Sequence, residues 1–290
     1  MNSLGLIFFN FRYFMNPLDI TILSKLGKQK YLSVSYLKHT IPTSNSNLAK
    51  RLKFLFDKKL IGRTIQLEPI LQREEFFYYL RSHGSKKLLQ YSLDFISEDD
   101  FDIPKGSHSF ATHDAAIAWV NYFFQTDSNH YNKHLIHKIE LEALRAKIYR
   151  LFCNEKFLPD SVIKIWLHDI KMPKIFLVEV DNSTESKKII REKLNTYKNF
   201  LAANKNAYLI FIVIKASPMR LALIMKQACL VINQKNCVFG VLLSDLNKFD
   251  VFSNLYMKPE HLYKIQYYNG IKKAVRNQTN AENLRFPPPI

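Results

Sequence analysis

Cysteine, long apolar runs and acidic side chains are all in short supply in this chain. Of 290 residues only three are cysteine, Cys153, Cys229 and Cys237. Their spacing fits no metal motif and their neighbours are apolar. They read as buried thiols in a reducing cytosol, which excludes a disulfide-framed secreted fold. No stretch reaches the roughly 18 apolar residues that mark a membrane span. Leu4–Phe14 is apolar but short, is interrupted by Asn10 and Arg12, and has no small-residue cleavage site, so it is a poor signal peptide. Internal repeats are absent. Asp and Glu number 25 against 42 Lys and Arg, a formal net charge of +17. That excess attracts polyanions, with nucleic acid foremost. The competing source of such a composition is simply Lys-, Asn-, Ile- and Tyr-rich usage from AT-rich DNA. With 47% hydrophobic residues, the chain can build one large or two medium domains.

Residues 1–96 read as a helical unit with a trailing hairpin. Asn16-Pro17 is a helix start. Leu18, Ile22, Leu23 and Leu26 supply one apolar face, and Gly27 marks its end. Val34, Leu37 and Ile41 face inward from a short second helix. Ser44 and Asn45 then offer caps for a third helix, expected over 47–59. Leu48, Leu52, Leu55 and Phe56 form its buried stripe, and Lys50, Arg51, Lys53 and Lys58 fill other positions. Leu60–Arg63 enters a β segment, with residues 76–80 as its return strand. Helix, helix, basic helix and two-stranded wing is the order of a winged helix-turn-helix, whose third helix enters the major groove. The expected DNA contacts are Lys50, Arg51, Lys53, Lys58 and Arg63, with a solvated basic face or a protein-binding module as the plainer readings. This stretch resembles many winged-helix repressors.

Residues 97–107 are acidic and turn-rich, as a linker would be. Residues 108–265 alternate strand and helix patterns, which argues a mixed sheet flanked by helices. The first helix is expected over 115–124. His134 and His137 could share a helix face three residues apart, short of the ligands a zinc site needs. Val162–Trp166 and Ile175–Val180 read as a hairpin around a polar, Pro-containing turn. A helix over 186–203 follows. Tyr208–Ile214 and Val238–Leu243 are continuous apolar runs, as in strands buried on both faces. Residues 266–290 form a basic tail ending in a Pro run; Tyr267 and Tyr268 lie among its cations, a composition suited to backbone contact and base stacking.

The acids of the hairpin carry the chemistry. Glu179 and Asp181 are two apart on one strand and so share a face. Asp160, at the start of the other strand, should meet them across the hairpin. Converging carboxylates hold a hard cation such as Mg²⁺ or Mn²⁺, with water or phosphate completing the shell. The expected metal ligands are Asp160, Glu179 and Asp181, with Glu142 added and Glu140 as its fallback; an exposed acid paired with Arg145 or Lys147 is the plainer reading of Glu142.

Pro159-Asp160, a hairpin, and Glu179-Val180-Asp181 resemble the PD-(D/E)XK pattern of restriction-endonuclease-like nucleases. The longer run from Phe176 through Glu179, Asp181, Thr184 and Lys193 to Tyr197 resembles the replication-relaxation family of plasmid proteins. It is also similar to relaxases of mobilisable plasmids that use this nuclease fold. The resemblance implies an N-terminal winged helix followed by a restriction-endonuclease-like α/β domain. It also implies a catalytic set of Asp160, Glu179, Asp181 and Lys193, with His113 near a helix start and Tyr197 as accessory groups. In the nuclease pattern a lysine stands two residues after the acid, where this chain has Asp181; Lys193 on the next helix is the substitute. The implied function is metal-dependent nicking or cleavage at a specific duplex site. A catalytically inactive DNA-binding accessory, a replication initiator and a winged-helix regulator are the other classes. Implied partners are double-stranded DNA such as a plasmid origin, relaxosome or replication proteins, and a second copy of the chain.

Overall fold

Three polar side chains start the three N-terminal helices. Asn16 Oδ1 accepts from Leu18 N–H at 2.9 Å at the head of α1 (Pro17–Lys28). Ser33 Oγ accepts from Tyr36 N–H at 3.0 Å to start α2 (Val34–Thr40). Ser44 Oγ does the same for Asn47 N–H in α3 (Asn45–Asp57). Each cap satisfies a backbone donor that the first helical turn leaves unpaired. This computed structural model describes residues 15–91, 101, 103–104, 108–131, 136–142, 148, 157–167, 171–215, 217–232 and 237–246. The tail and most of the expected linker lie outside the described residues.

The short β1 (Leu32–Ser33) joins β2 (Ile61–Leu67) and β3 (Glu74–Leu80) in an antiparallel sheet of order β1–β3–β2. Helices α1–α3 close over it through Ile22, Leu23, Leu26, Leu37, Leu48, Leu52 and Leu55, all buried. A short α4 (Ser82–Leu88) follows. This is the arrangement of a winged helix-turn-helix. α3 begins two residues earlier than the expected 47–59, because Ser44 supplies the cap.

The next helix, α5 (Ala111–Tyr131), is longer than its apolar pattern predicts. It is buried on two sides, so its sequence lacks a polar face to mark its extent. One side meets the first sheet: Thr112 Oγ1 donates to Leu67 O at 2.8 Å, and the Trp119 indole N–H donates to Glu68 Oε1 at 2.6 Å. The other side meets a second sheet: Ser161 Oγ donates to Asn121 Oδ1 at 2.8 Å, and the Phe124 and Phe176 rings lie 6.2 Å apart.

That second sheet has five strands in sequential order, β4 (Ile136–Glu142), β5 (Ser161–Leu167), β6 (Lys174–Asp181), β7 (Ala207–Val213) and β8 (Val238–Leu242). β5 runs antiparallel to both neighbours, while β6, β7 and β8 are parallel. Parallel neighbours need crossovers, supplied by α6 (Lys187–Ala203) and α7 (Pro218–Val231). Every residue of β7 is buried, as its unbroken apolar run requires. Gly240 lets α7 lie close: a Cβ there would fall 2.6 Å from Leu221 Cδ1. α8 (Leu243–Leu246) ends the described chain. The whole is mixed α/β with two sheets, and α5 lies on one face of the second sheet with α6 and α7 on the other. Among the described residues, no helix is long and apolar enough to cross a membrane.

One local expectation is corrected. Residues 136–142, including Glu140 and Glu142, form strand β4. His137 also lies in that strand, so no helical pair with His134 exists; His134 itself lies outside the described residues.

Candidate active site

The hairpin places two acids side by side. Ser161 is opposite Val178, and Asp160 N–H donates to Val178 O at 2.9 Å, extending the ladder by one residue. Asp160 therefore lies beside Glu179 at the carboxyl end of β6. α6 then covers them. Lys193 Nζ donates to Glu179 Oε2 at 2.7 Å, and Tyr197 OH donates to Glu179 Oε1. Lys193 and Tyr197 are four residues apart and so share one helix face. Lys193 also reaches Glu185 Oε1 at 2.7 Å.

From the opposite face, the first turn of α5 delivers His113. Its Nε2 is 3.0 Å from Val180 O and 3.3 Å from Asp160 Oδ2, and its Nδ1 is 3.7 Å from Asp114 Oδ1. Asp160 Oδ2 also accepts from Val180 N–H at 2.8 Å.

These contacts set the charges. Burial pushes the Glu179 carboxyl up, and the Asp160 charge pushes it further, to about 7; Lys193 and Tyr197 oppose this in part. Burial lowers the His113 imidazole, but Asp160 and Asp114 outweigh it and raise the group to about 10. His113 is thus protonated at neutral pH, with Nε2 donating to the Val180 carbonyl. Burial also raises Asp160, yet His113, Lys193 and the Val180 N–H bring it below its ordinary value. Lys193 loses from burial and gains more from Glu179 and Asp160, ending above its usual value. Tyr197 is raised well above the usual phenol value, by burial first and by Glu179 second.

The expected cluster of three carboxylates is not formed. Asp181 does share the Glu179 face, but it sits two residues, about 6–7 Å, further along the strand. There Arg220, in the first turn of α7, takes it bidentately, with Nε to Oδ2 at 2.8 Å and an Nη to Oδ1 at 2.6 Å. A forked guanidinium–carboxylate pair is the strongest partner an acid finds inside a protein. Glu142 is opposite Val162 in the β4–β5 ladder, two residues away from Asp160 along the sheet. Among the described residues, no three His, Cys, Asp or Glu side chains are grouped to hold a metal ion. Asp160 and Glu179 are the two acids that remain adjacent. Mg²⁺ is commonly held by one or two carboxylates, with water and phosphate completing its shell; here both Glu179 oxygens already accept hydrogen bonds, and Asp160 is the more open of the two acids.

The basic residues of the winged helix divide. Lys50 and Lys53 are exposed on α3, and Lys53 pairs with Asp57 one turn on at 3.1 Å. Lys58 is exposed beside the Phe54 ring. Arg63 is exposed on β2. Arg51 does not share their face. Its Nε donates to Asp19 Oδ1 at 2.7 Å, a second nitrogen binds Asp19 Oδ2, and Asp19 is fully buried. The pair ties α3 to α1, so the expectation that Arg51 faces outward with the wing is corrected.

Sequence reasoning missed Arg220, Glu68 and Asp19. Arg220 lies 39 residues beyond Asp181, and only the parallel β6–β7–β8 order brings it there. Its one local signal is the Ser217-Pro218 helix start, which places Arg220 in a first turn at the sheet's carboxyl edge.

No curated protein matches the chain. Four solved chains match. One is Bacillus subtilis PadR in complex with operator DNA, 18% identical, covering 39% of this chain and 72% of that one, with a TM-score of 0.23. The replication-relaxation family model matches residues 23–213, a span from α1 through β7 that contains His113, Asp160, Glu179, Asp181, Lys193 and Tyr197. With well over half of its length matched, the chain belongs to the replication-relaxation family.

Proposed function

We propose that this protein processes DNA in the replication or relaxation of a plasmid or other mobile element. It docks on duplex DNA through α3 and nicks one strand at the Asp160–Glu179–Lys193 cluster. Family membership supports the coarse role. One observation supports the chemistry: two carboxylates on adjacent strands, with a lysine 2.7 Å from one of them, at the carboxyl edge of a mixed sheet. Titratable groups displaced this far, Glu179 up and His113 up, concentrate at functional sites.

In this reading Asp160 and Glu179 would hold a divalent cation, which when bound lowers the pKa of a water and offsets phosphate charge. The chain's own groups do the rest. Lys193, cationic and partly open to solvent, faces the phosphate and balances charge developing on it. The His113 imidazolium holds Asp160 and the Val180 carbonyl in place, so the strand end keeps its geometry. Arg220 fixes Asp181 and with it the turn into α6. Tyr197 is fully buried against Glu179, so it orients that carboxylate rather than attacking phosphorus.

A second reading is a catalytically inactive DNA-binding accessory. It is favoured by a specific observation: both Glu179 oxygens already accept hydrogen bonds, and the residue is only 1% exposed. Incubating supercoiled plasmid with the protein and Mg²⁺ or Mn²⁺ separates the two. The first reading expects an open-circular product lost in Asp160→Asn, a variant that keeps an acceptor for Val180 N–H. The second expects binding without product.

A further inference from the structure

Beside α3, on the side facing the wing, lies a groove of about 490 Å³ that neither the family motif nor the acidic cluster uses. α3 contributes Lys53 and Phe56, α2 contributes Lys38, and the wing contributes Arg63, Phe76 and Tyr78. Two features distinguish it from an ordinary surface dip. First, its charge is mainly positive: Lys38, Lys53 and Arg63 are all exposed, against a single acid in the lining, Asp57, which pairs with Lys53. Second, its walls are flat rings. The Arg63 guanidinium lies 4.4 Å from the Phe56 ring centre and 4.6 Å from that of Phe76. Phe76 remains 38% exposed, and Ile65, opposite it in the hairpin, is 54% exposed. Large apolar groups left open beside a stacked guanidinium are an unfinished stack.

The hairpin turn is anchored at its first residue: Glu68 accepts from Ile70 N–H, Leu71 N–H, Ser33 Oγ and Trp119 Nε1, and is fully buried. The strand residues Arg63, Phe76 and Tyr78 are what the hairpin contributes to the groove.

We propose that this groove binds unpaired nucleotides of single-stranded DNA, with a base stacked on the Phe76–Arg63 platform and the phosphates on Lys38 and Lys53. Stacking on rings within a cationic groove is the common mode of sequence-tolerant single-strand binding, and a guanidinium plane accepts a base as a ring does. A polyanion complements the cationic excess of Lys38 and Arg63, which an apolar peptide or a second copy of this basic chain does not. The inference deepens the DNA-processing reading and rests on it for its context: a protein that holds a duplex on α3 also holds the strand opened beside it.

Fluorescence anisotropy with a labelled single-stranded 12-mer of mixed sequence, and with the same sequence as a closed hairpin duplex, tests the proposal on the full chain. Phe76→Ala weakens single-strand binding by about tenfold, the loss of one base stack, and leaves duplex binding within about twofold. Phe76→Leu, which keeps the bulk and removes the ring face, loses a similar factor. Lys50→Glu has the opposite pattern, weakening the duplex more than the single strand. Unchanged single-strand affinity in both Phe76 variants overturns the proposal. So does a concentration-dependent dimer in sedimentation that Phe76→Ala dissociates, because the groove then belongs to a second copy. Duplex affinity that does not respond to Lys50→Glu, with the single-strand loss intact, would remove the α3 docking reading and leave the groove standing.

Discussion

At the scale of single residues, Arg51 shows how far a basic helix position can be from a DNA contact. Asp19 is fully buried, and Arg51 is what neutralises it. Removing one member of such a pair strands the other charge. Arg51→Ala should therefore cost about 3 kcal/mol of unfolding free energy, read from urea denaturation, and a double-mutant cycle with Asp19→Asn should show strong coupling. Lys50→Ala, on the exposed face, should shift the urea midpoint little. The acidic cluster gives a pH signature whose sign follows from its two raised groups. His113 rises from 6.5 to about 10 on folding, so its contribution is complete below pH 6.5 and disappears as pH climbs through 10. Glu179 rises from 4.5 to about 7, so its burial costs stability progressively over that interval and by a constant amount above it. Thermal stability should fall from pH 7 to pH 10, and His113→Gln should flatten that fall, which calorimetry across the range would reveal.

At the scale of elements, the β5–β6 hairpin was legible because two apolar runs flank a polar, Pro-containing turn, and the ladder follows from that spacing. The stripe of α3 was legible for the same reason: Leu48, Leu52 and Leu55 repeat at helical spacing. α5 was only half legible. A helix buried on both sides carries no polar face, so Ala111–Tyr131 looked shorter than it is. Strand β4 was not decidable from sequence, because Glu140, Leu141 and Glu142 alternate as readily in a strand as they fit a short helix. The fate of Asp181 was not legible at all, since nothing near it announces Arg220. The joint between wing and α5 was equally hidden, and it makes a prediction of its own. Trp119→Phe keeps the ring stack on Phe123 but leaves buried Glu68 without the indole donor. The loss should be about 1–3 kcal/mol, visible as a lower midpoint in urea, with α3 and the wing responding together with the second sheet in a single transition.

At the scale of the whole molecule, the formal charge of +17 sits on a fold with two sheets joined by one helix. Exposed cations line α3 and the groove beside it, while His113, Lys193 and Arg220 are paired with carboxylates in the absence of DNA. Duplex affinity should accordingly depend on salt chiefly through the first group. Lys50→Glu and Lys53→Glu should each lower the slope of log affinity against log salt by about one, and His113→Gln should leave it unchanged. The central claim is that the second sheet acts on the DNA the first unit holds. The most direct test is the conversion of supercoiled plasmid to open circles with Mg²⁺ or Mn²⁺, run on wild type, Asp160→Asn and Tyr197→Phe, each first shown to be folded and to bind duplex DNA. The account predicts nicking by wild type and by Tyr197→Phe, and none by Asp160→Asn. Duplex binding by wild type with no open circles, or nicking that stops in Tyr197→Phe and leaves protein covalently joined to DNA, would contradict it.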